Sequence, residues 1–435
     1  VNSADVRAVG WDAAAAERWL LSLELFGMRF GLDRMRRLMT ALGGPDRAFR
    51  SIHVVGTNGK SSTVRMTAAL LAHHGVRSGA YLSPHLVSFA ERIRIDGEDI
   101  SEQQFAAAVG RARQATAIVD RTLDAGDRVT QFEALTAAAY AQLAAAGVEV
   151  AVVEAGLGGR WDATNVIDAE VAVLTNVGLE HTRWLGPTVG DIAREKLAVV
   201  TRTHPPTTLV LGPDLHPDAD AEALIVAERT GAKIVRAPAQ PPPGVELLAR
   251  GSFQRRNFAV ACAAAEALLG RLDLAAARAA AASTAVPGRF QVLAPSGDEG
   301  AEVVLDGAHN AGGIAALAGS LPEFLAGREL VAVVSVLDDK DAAAMLAELL
   351  PLCAGAVFTA NANPRALSPA TLASLAGQVG AGGWDRVTRL EADPRRAVAL
   401  ARELAGAGGV VLATGSIYLI ADLLRPAGAE RGSAL

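Results

Sequence analysis

A short β-branched run, Ser51-Ile52-His53-Val54-Val55, leads straight into Gly56-Thr57-Asn58-Gly59-Lys60-Ser61-Ser62, and residues 63–72 beyond it have helical spacing. Strand, glycine loop and helix in that order commit the chain to an α/β unit with a ligand at the strand's carboxyl end. Glycines let the backbone turn tightly and bring N–H groups close to phosphate oxygens. The following helix adds the positive end of its dipole. Lys60 is placed to neutralise the outer phosphates, and a following hydroxyl to meet Mg²⁺. The spacing is two residues shorter than the standard Walker pattern, so a generic pattern search passes over it. The bland alternative is a glycine turn that merely opens a helix; a lysine and two hydroxyls in register weigh against it.

Strand-like and helix-like stretches alternate around this loop. Helical spacing covers residues 13–25 and 32–42; residues 79–82, 148–153, 171–174 and 208–211 read as strands, with helices at 132–145 and 258–269. Such alternation predicts crossover units and a mainly parallel sheet covered by helices. The segment 236–246, with Pro238, Pro241, Pro242, Pro243 and Gly244, reads as a surface loop. Pro287-Gly288 and then residues 295–300 mark a better boundary, after which strands recur at 302–305, 330–334, 356–359 and 410–413. Two domains follow, 1–286 and a smaller 287–435. The alanine-rich run 275–282 predicts a helix, no repeat of solenoid length is visible, and the tail 426–435 is expected to fray.

Composition bounds the function. With 435 residues, 51% hydrophobic and 20% charged, the chain is of ordinary globular make-up and long enough for a sizeable core. Lys plus Arg is 41 against 47 Asp plus Glu, a net charge of −6, which argues against wrapping nucleic acid but leaves room for an anion in a locally basic pocket. Cys262 and Cys353 stand alone, so neither a disulfide framework nor a cysteine zinc site is expected. Residues 1–12 carry Asp5 and Arg7 and no apolar signal core, and no apolar run reaches spanning length. The expectation is a soluble, cytoplasmic protein with no membrane partner.

In open parallel sheets ligands gather beyond the carboxyl ends of the strands. Four expected strands end in reactive groups: the phosphate loop; Ser83 in Leu82-Ser83-Pro84-His85; Glu154, followed by Gly156-Leu157-Gly158-Gly159-Arg160; and Thr175-Asn176-Val177-Gly178, which leads to Glu180 and His181. Ser83 and Glu154 offer hard oxygens suited to Mg²⁺, and His181 offers nitrogen to a second metal position. Taken singly, His181 is an ordinary hydrogen-bonding histidine, Ser83 a turn former before Pro84, and Lys196 a surface helix lysine. Their shared sheet edge makes the case. His73 and His74, before Gly75, read instead as a solvated helix end.

These residues carry a family resemblance. The chain resembles the folylpolyglutamate synthase/dihydrofolate synthase family of the wider Mur ligase superfamily, in Ile52 through Lys60, Ser83-Pro84-His85-Leu86 with Glu91-Arg92-Ile93, Thr130-Gln131-Phe132-Glu133, and Gly159-Arg160-Trp161-Asp162-Ala163-Thr164-Asn165. Gly178-Leu179-Glu180-His181, Pro287-Gly288-Arg289-Phe290, Asp306-Gly307-Ala308-His309-Asn310, Asp339-Lys340-Asp341 and Thr414-Gly415-Ser416 continue it. The resemblance implies a P-loop NTPase-like central domain with a smaller Rossmann-like α/β domain after it. It further implies an ATP-dependent amide ligase: a carboxylate takes the γ-phosphoryl group of ATP, and the amino group of L-glutamate displaces phosphate from the acyl phosphate. Gly56, Thr57, Asn58, Gly59, Lys60, Ser61, Ser62, Asn257, Arg289 and Asp306 would then contact ATP. Ser83, Glu154 and His181 would hold Mg²⁺, and Lys196 matches a lysine that is carbamylated in this superfamily. Thr130, Gln131, Phe132, Glu133, Trp161, Asp162 and Ala163 would meet the pterin-bearing substrate, dihydropteroate or a reduced folate. His309 and Ser416 would meet glutamate, with His309 also a candidate catalytic group alongside Lys60, Lys196 and His181. A monovalent cation is a further candidate cofactor, and a monomer the expected state.

Three positions depart from the family pattern: Ser61 stands where glycine is usual, Trp161 where leucine is usual, and Ala311 where proline is usual. Trp161 puts the preference between folate forms in question. Two other readings remain open on the sequence: a different Mur-superfamily amino-acid ligase, and a nucleotide-binding regulatory module that joins nothing.

Overall fold

The structure, a computed structural model, describes residues 11–24, 31–293, 300–379, 384 and 386–426. The amino-terminal residues 1–10, Leu25 at the end of the first expected helix, most of the 295–300 boundary and the tail beyond Pro426 lie outside the described residues. The chain forms two compact units, Val1–Glu246 with Arg256–Ala282, and Leu247–Arg255 with Ser283–Leu435.

In the first unit the strands are β1 (Arg50–Val55), β2 (Ser78–Tyr81), β3 (Ile93–Ile95), β4 (Glu98–Asp99), β5 (Val150–Glu154), β6 (Val171–Leu174), β7 (Thr208–Leu211) and β8 (Lys233–Arg236). They lie in the order β4-β3-β2-β5-β1-β6-β7-β8. From β2 to β8 every pairing is parallel; β3 and β4 add an antiparallel edge. β1 is central, and Ser51 through Val55 are buried, as a strand covered on both faces requires. The register Val54↔Glu154 and Val55↔Leu174 brings the ends of β5, β1 and β6 level. That alignment positions the site.

The helices follow from local chemistry. Gln131–Ala145 starts at a capping box in which Thr130 accepts from the Glu133 N–H and Glu133 accepts from the Thr130 N–H. Its alanines let it pack closely, beside Leu20, Met35, Leu38, Phe105 and Tyr140 in one apolar core cluster. Another cluster gathers Val55, Leu174, Ile192, Leu197, Leu209 and Val226. The alanine-rich run forms the helix Leu274–Ser283. His74 corrects one expectation. It is half-buried: Nδ1 donates to the Leu70 carbonyl at 2.7 Å, and Nε2 accepts from the Asp273 N–H at 2.9 Å, so the ring fastens the start of that helix instead of fraying in solvent.

The second unit is built on β9 (Gln291–Leu293), β10 (Glu302–Leu305), β11 (Leu330–Val334), β12 (Gly355–Phe358), β13 (Val387–Leu390) and β14 (Val410–Thr414), ordered β13-β12-β11-β14-β10-β9. All pairs are parallel except β9 with β10. Leu317, Leu330, Met345, Phe358, Leu372 and Leu412 lie in its core. Cys262 and Cys353 are free and buried. Among the described residues no helix is long and apolar enough to cross a membrane.

Candidate active site

The glycine loop is laced to the segment after β6. The Thr57 N–H donates to the Asn176 carbonyl at 2.9 Å, and the Asn58 N–H to Asn176 Oδ1 at 2.9 Å. Thr175 Oγ1 donates to the Asn58 carbonyl at 2.7 Å, and the Gly178 N–H to Thr57 Oγ1 at 3.1 Å. A Cβ on Gly56 would stand 1.9 Å from Thr175 Oγ1, so only glycine admits this contact. Gly59 has φ +83°, and a Cβ there would meet Asn257 Oδ1 at 2.5 Å. Asn257 therefore lies against the loop. Lys60 opens the helix Lys60–His73, and its Nζ donates to the carbonyls of Gly56 and Thr57, each at 3.1 Å. The ammonium is thus folded over the concavity that a phosphate would enter.

Glu154 ends β5 with its side chain 2% exposed. Ser61 Oγ donates to Glu154 Oε1 at 2.9 Å, and the Ser83 backbone N–H donates to Oε2 at 3.1 Å. Lys196 closes the helix Val189–Lys196, is buried, and donates from Nζ to the Gly56 carbonyl at 2.8 Å. Burial first, and the nearby charge of Lys60 second, lower its pKa from 10.5 to about 7. Gly159 lets this helix approach, since a Cβ there would stand 2.5 Å from the Lys196 carbonyl oxygen. His181 has φ 51°, a left-handed conformation rare for a side chain of its kind, and is exposed, with Nε2 3.8 Å from Glu180 Oε1. Lys60 and Lys196 thus meet on the Gly56 carbonyl, and Ser61 and Ser83 meet on the Glu154 carboxylate; His181 sits on the segment that Thr57 ties down through Gly178.

The groups expected near the pterin divide by partner. The Phe132 ring stacks on Tyr81, with centroids 6.3 Å apart, and lies against Gly156, where a Cβ would meet its Cζ at 2.6 Å. Trp161 is 47% exposed, open to a ligand. Gln131, Glu133 and Asp162 are occupied internally. Gln131 donates to the Leu20 carbonyl at 2.9 Å, and Glu133 accepts from Arg34 Nε at 3.0 Å. Asp162 accepts from the Leu157 N–H at 2.7 Å, the Thr164 N–H at 3.0 Å and the Thr164 hydroxyl, and burial raises its pKa against those bonds. Thr130 and Ala163 are buried beside them. Thr175, Asn176, Tyr81 and Gly159 join the site although sequence reasoning assigned them no role; their contacts bridge elements distant in the chain.

In the second unit Asp306, buried just beyond β10, accepts from the Phe290 N–H and the Ala308 N–H, each at 2.8 Å. Burial raises its pKa, with Arg289 pulling the other way. Arg289 lies over Gly307, whose hypothetical Cβ would stand 3.0 Å from Nη1. His309 shares a hydrogen bond with the Gly307 carbonyl at 2.9 Å. Ser416 caps the helix Ile417–Leu424. The Gly415 N–H donates to the Ala308 carbonyl at 3.1 Å, which brings the His309 and Ser416 segments to one sheet edge.

Among the described residues no three His, Cys, Asp or Glu side chains converge as a self-sufficient metal cage. Mg²⁺ does not need one: it is usually held by one or two carboxylates with substrate phosphates and water. A buried carboxylate bonded to the Ser61 hydroxyl, on the residue that follows the phosphate-loop lysine, is of that kind.

Family models match twice, as the Mur ligase middle domain over residues 54–237 and the Mur ligase glutamate ligase domain over 288–417. The dihydrofolate synthase/folylpolyglutamate synthase of Mycobacterium tuberculosis is 38% identical over 398 residues, 83% of this chain and 80% of that protein. Folylpolyglutamate synthase of the same organism, complexed with ADP and AMPPCP, superposes with a TM-score of 0.85 at 36% identity, covering 95% of this chain and 98% of that one. The bifunctional folylpolyglutamate synthase/dihydrofolate synthase of Yersinia pestis, complexed with AMPPNP and Mn ion, gives 0.81 at 28% identity, over 95% and 97%. A phosphate loop with Lys60, and a glutamate ligase module following it, define an ATP-dependent ligase of the Mur type. Within that class the chain belongs to the dihydrofolate synthase/folylpolyglutamate synthase family.

Proposed function

We propose that this chain adds L-glutamate to dihydropteroate, to reduced folates or to both, through an acyl phosphate. The observation that carries the reading is the meeting of Lys60 and Lys196 on the Gly56 carbonyl, with the Glu154 carboxylate bonded to Ser61. Phosphoryl transfer asks for charge neutralisation and alignment more than covalent help. The N–H groups at the start of the helix, from Gly59 to Ser61, and the Lys60 ammonium bind the phosphates of ATP and hold the γ-phosphoryl group toward the substrate carboxylate. Glu154, with oxygens of Ser83 and the imidazole of His181, would hold Mg²⁺, which supplies charge neutralisation at the phosphates.

A neutral amine at Lys196 is a nucleophile for CO₂, and carbamylation would turn it into an anion able to support a second cation. Phe132 and Trp161 offer flat faces to a pterin; Thr130, Gln131, Glu133, Asp162 and Ala163 shape the wall behind them. Asn257, Arg289 and Asp306 serve ATP, and His309 and Ser416 serve the incoming glutamate. Excluding water protects the acyl phosphate. The proposed domains are 1–286 and 287–435, and ATP draws on residues of each. A monovalent cation, a monomeric state and a cytoplasmic setting complete the proposal.

The test is phosphate release from MgATP and L-glutamate with dihydropteroate, then with tetrahydrofolate, as acceptor. Release that needs both glutamate and a pterin acid is the expected result. Release with neither acceptor, but with a UDP-sugar peptide, would favour a cell-wall ligase; nucleotide binding without any acceptor-dependent release would favour a regulatory module.

A further inference from the structure

Ser61 sits on the second residue of the helix Lys60–His73, and its hydroxyl is spent on Glu154 at 2.9 Å. The other carboxylate oxygen is held from a different element, by the Ser83 N–H at 3.1 Å. A glutamate at a strand end has three side-chain torsions, and ordering them costs affinity when the ligand must do it. Here both oxygens are already held by donors from two different elements. We propose that Ser61 is a positioning residue of the metal site: it fixes the plane and reach of the Glu154 carboxylate before nucleotide arrives, and so strengthens capture of the divalent cation carried by ATP or ADP.

A hydroxyl suits the task because it donates one hydrogen to the carboxylate and keeps two lone pairs for a neighbouring cation or water. Ser62, the next residue, is 3% exposed. The helix start carries both the phosphate-binding lysine and this donor on consecutive residues. Nucleotide grip and carboxylate aim are therefore set by the same turn. The inference rests on the reading of Glu154 as a metal ligand.

The experiment uses the full chain with AMPPCP and titrates Mn²⁺ by electron paramagnetic resonance, for wild type, Ser61→Ala, Ser61→Gly, Ser61→Thr and Glu154→Gln. AMPPCP affinity without metal and thermal melting are measured in parallel. Groups that orient a metal ligand commonly contribute about tenfold or more to affinity. Ser61→Ala and Ser61→Gly should therefore weaken Mn²⁺ about tenfold, by more than they weaken metal-free AMPPCP, with Ser61→Thr restoring the metal; equal losses of metal and of metal-free nucleotide overturn the positioning role. Alanine guards against a loss due only to glycine's poor helix propensity. Wild-type Mn²⁺ affinity in Ser61→Ala, with Glu154→Gln impaired, overturns the role of Ser61 and spares the metal site. Wild-type affinity in Glu154→Gln overturns the site and this inference together.

Discussion

Lys196 donates to the carbonyl of Gly56 at 2.8 Å, so the end of one helix is hydrogen-bonded to the first residue of the phosphate loop. The two residues are 140 positions apart, and their contact makes the loop and the lysine one structural object. Removing the amine therefore disturbs loop geometry as well as chemistry. Lys196→Ala should lose at least about a hundredfold in turnover, as a missing electrostatic group in a closed site does. Added acetate or propionate should recover part of it if a carbamate is the working form. Full unaided activity would end that proposal.

The same lysine predicts a pH dependence. Its pKa is lowered from 10.5 to about 7, so the ammonium dominates below that pH and the neutral amine above it. Only the amine attacks CO₂. Incorporation of ¹³C-bicarbonate, followed by the carbamate carbon resonance, should rise from pH 6 to pH 8. A signal independent of pH over this span, or none at saturating bicarbonate, contradicts it.

Lys60→Ala should leave the far-ultraviolet circular dichroism spectrum intact and abolish phosphate release. Its Nζ touches only loop carbonyls, so the fold does not depend on it. A loss of about a hundredfold to a thousandfold is the scale for one phosphate-stabilising donor.

Neighbouring residues on one helix should fail in different ways. Phe132→Ala removes a ring from the site wall and should raise KM for the pterin substrate about tenfold, while the lost packing on Tyr81 and the core also lowers stability by about 2 kcal/mol. Glu133→Ala removes one of the two carboxylates paired with Arg34, leaving Asp127 at 3.3 Å, and breaks the cap on Thr130. It should cost about 2 kcal/mol of stability, read by denaturant titration, and raise KM for the pterin substrate less than Phe132→Ala does.

Gly159→Ala places a methyl 2.5 Å from the Lys196 carbonyl oxygen and 2.8 Å from that of Glu195. Backbone must move, at a cost of about 1 to 3 kcal/mol. Steady-state kinetics should show turnover falling in step with the Lys196 variants, although residue 159 carries no reactive group.

Much of this was legible in the chain. The buried strands are β-branched runs between glycines, and β6, β7, β10 and β11 fall where that pattern ends. What escaped were polar edges. β8 and β13 are partly exposed, alternate weakly and carry charges, so burial does not write them into the sequence. The β3–β4 hairpin had a signal that went unread: Asp96-Gly97, with φ of 51° and 89°, is a turn dipeptide of the kind that joins tight hairpins. The helix Glu102–Val119 likewise announces itself through the Ser101–Gln104 capping box. At the site the phosphate loop was readable because its chemistry is local. The lacing by Thr175 and Asn176 was not, because it joins residues 117 to 121 positions apart.

That lacing has a consequence for turnover. A cradle stitched shut to β6 before any nucleotide arrives meets spent and fresh nucleotide with equal readiness, since the inner phosphates are the same in both. Little ordering entropy is charged against either. ADP should thus compete on nearly level terms with ATP, and the ratio of the two in the surrounding medium becomes a throttle on the ligase.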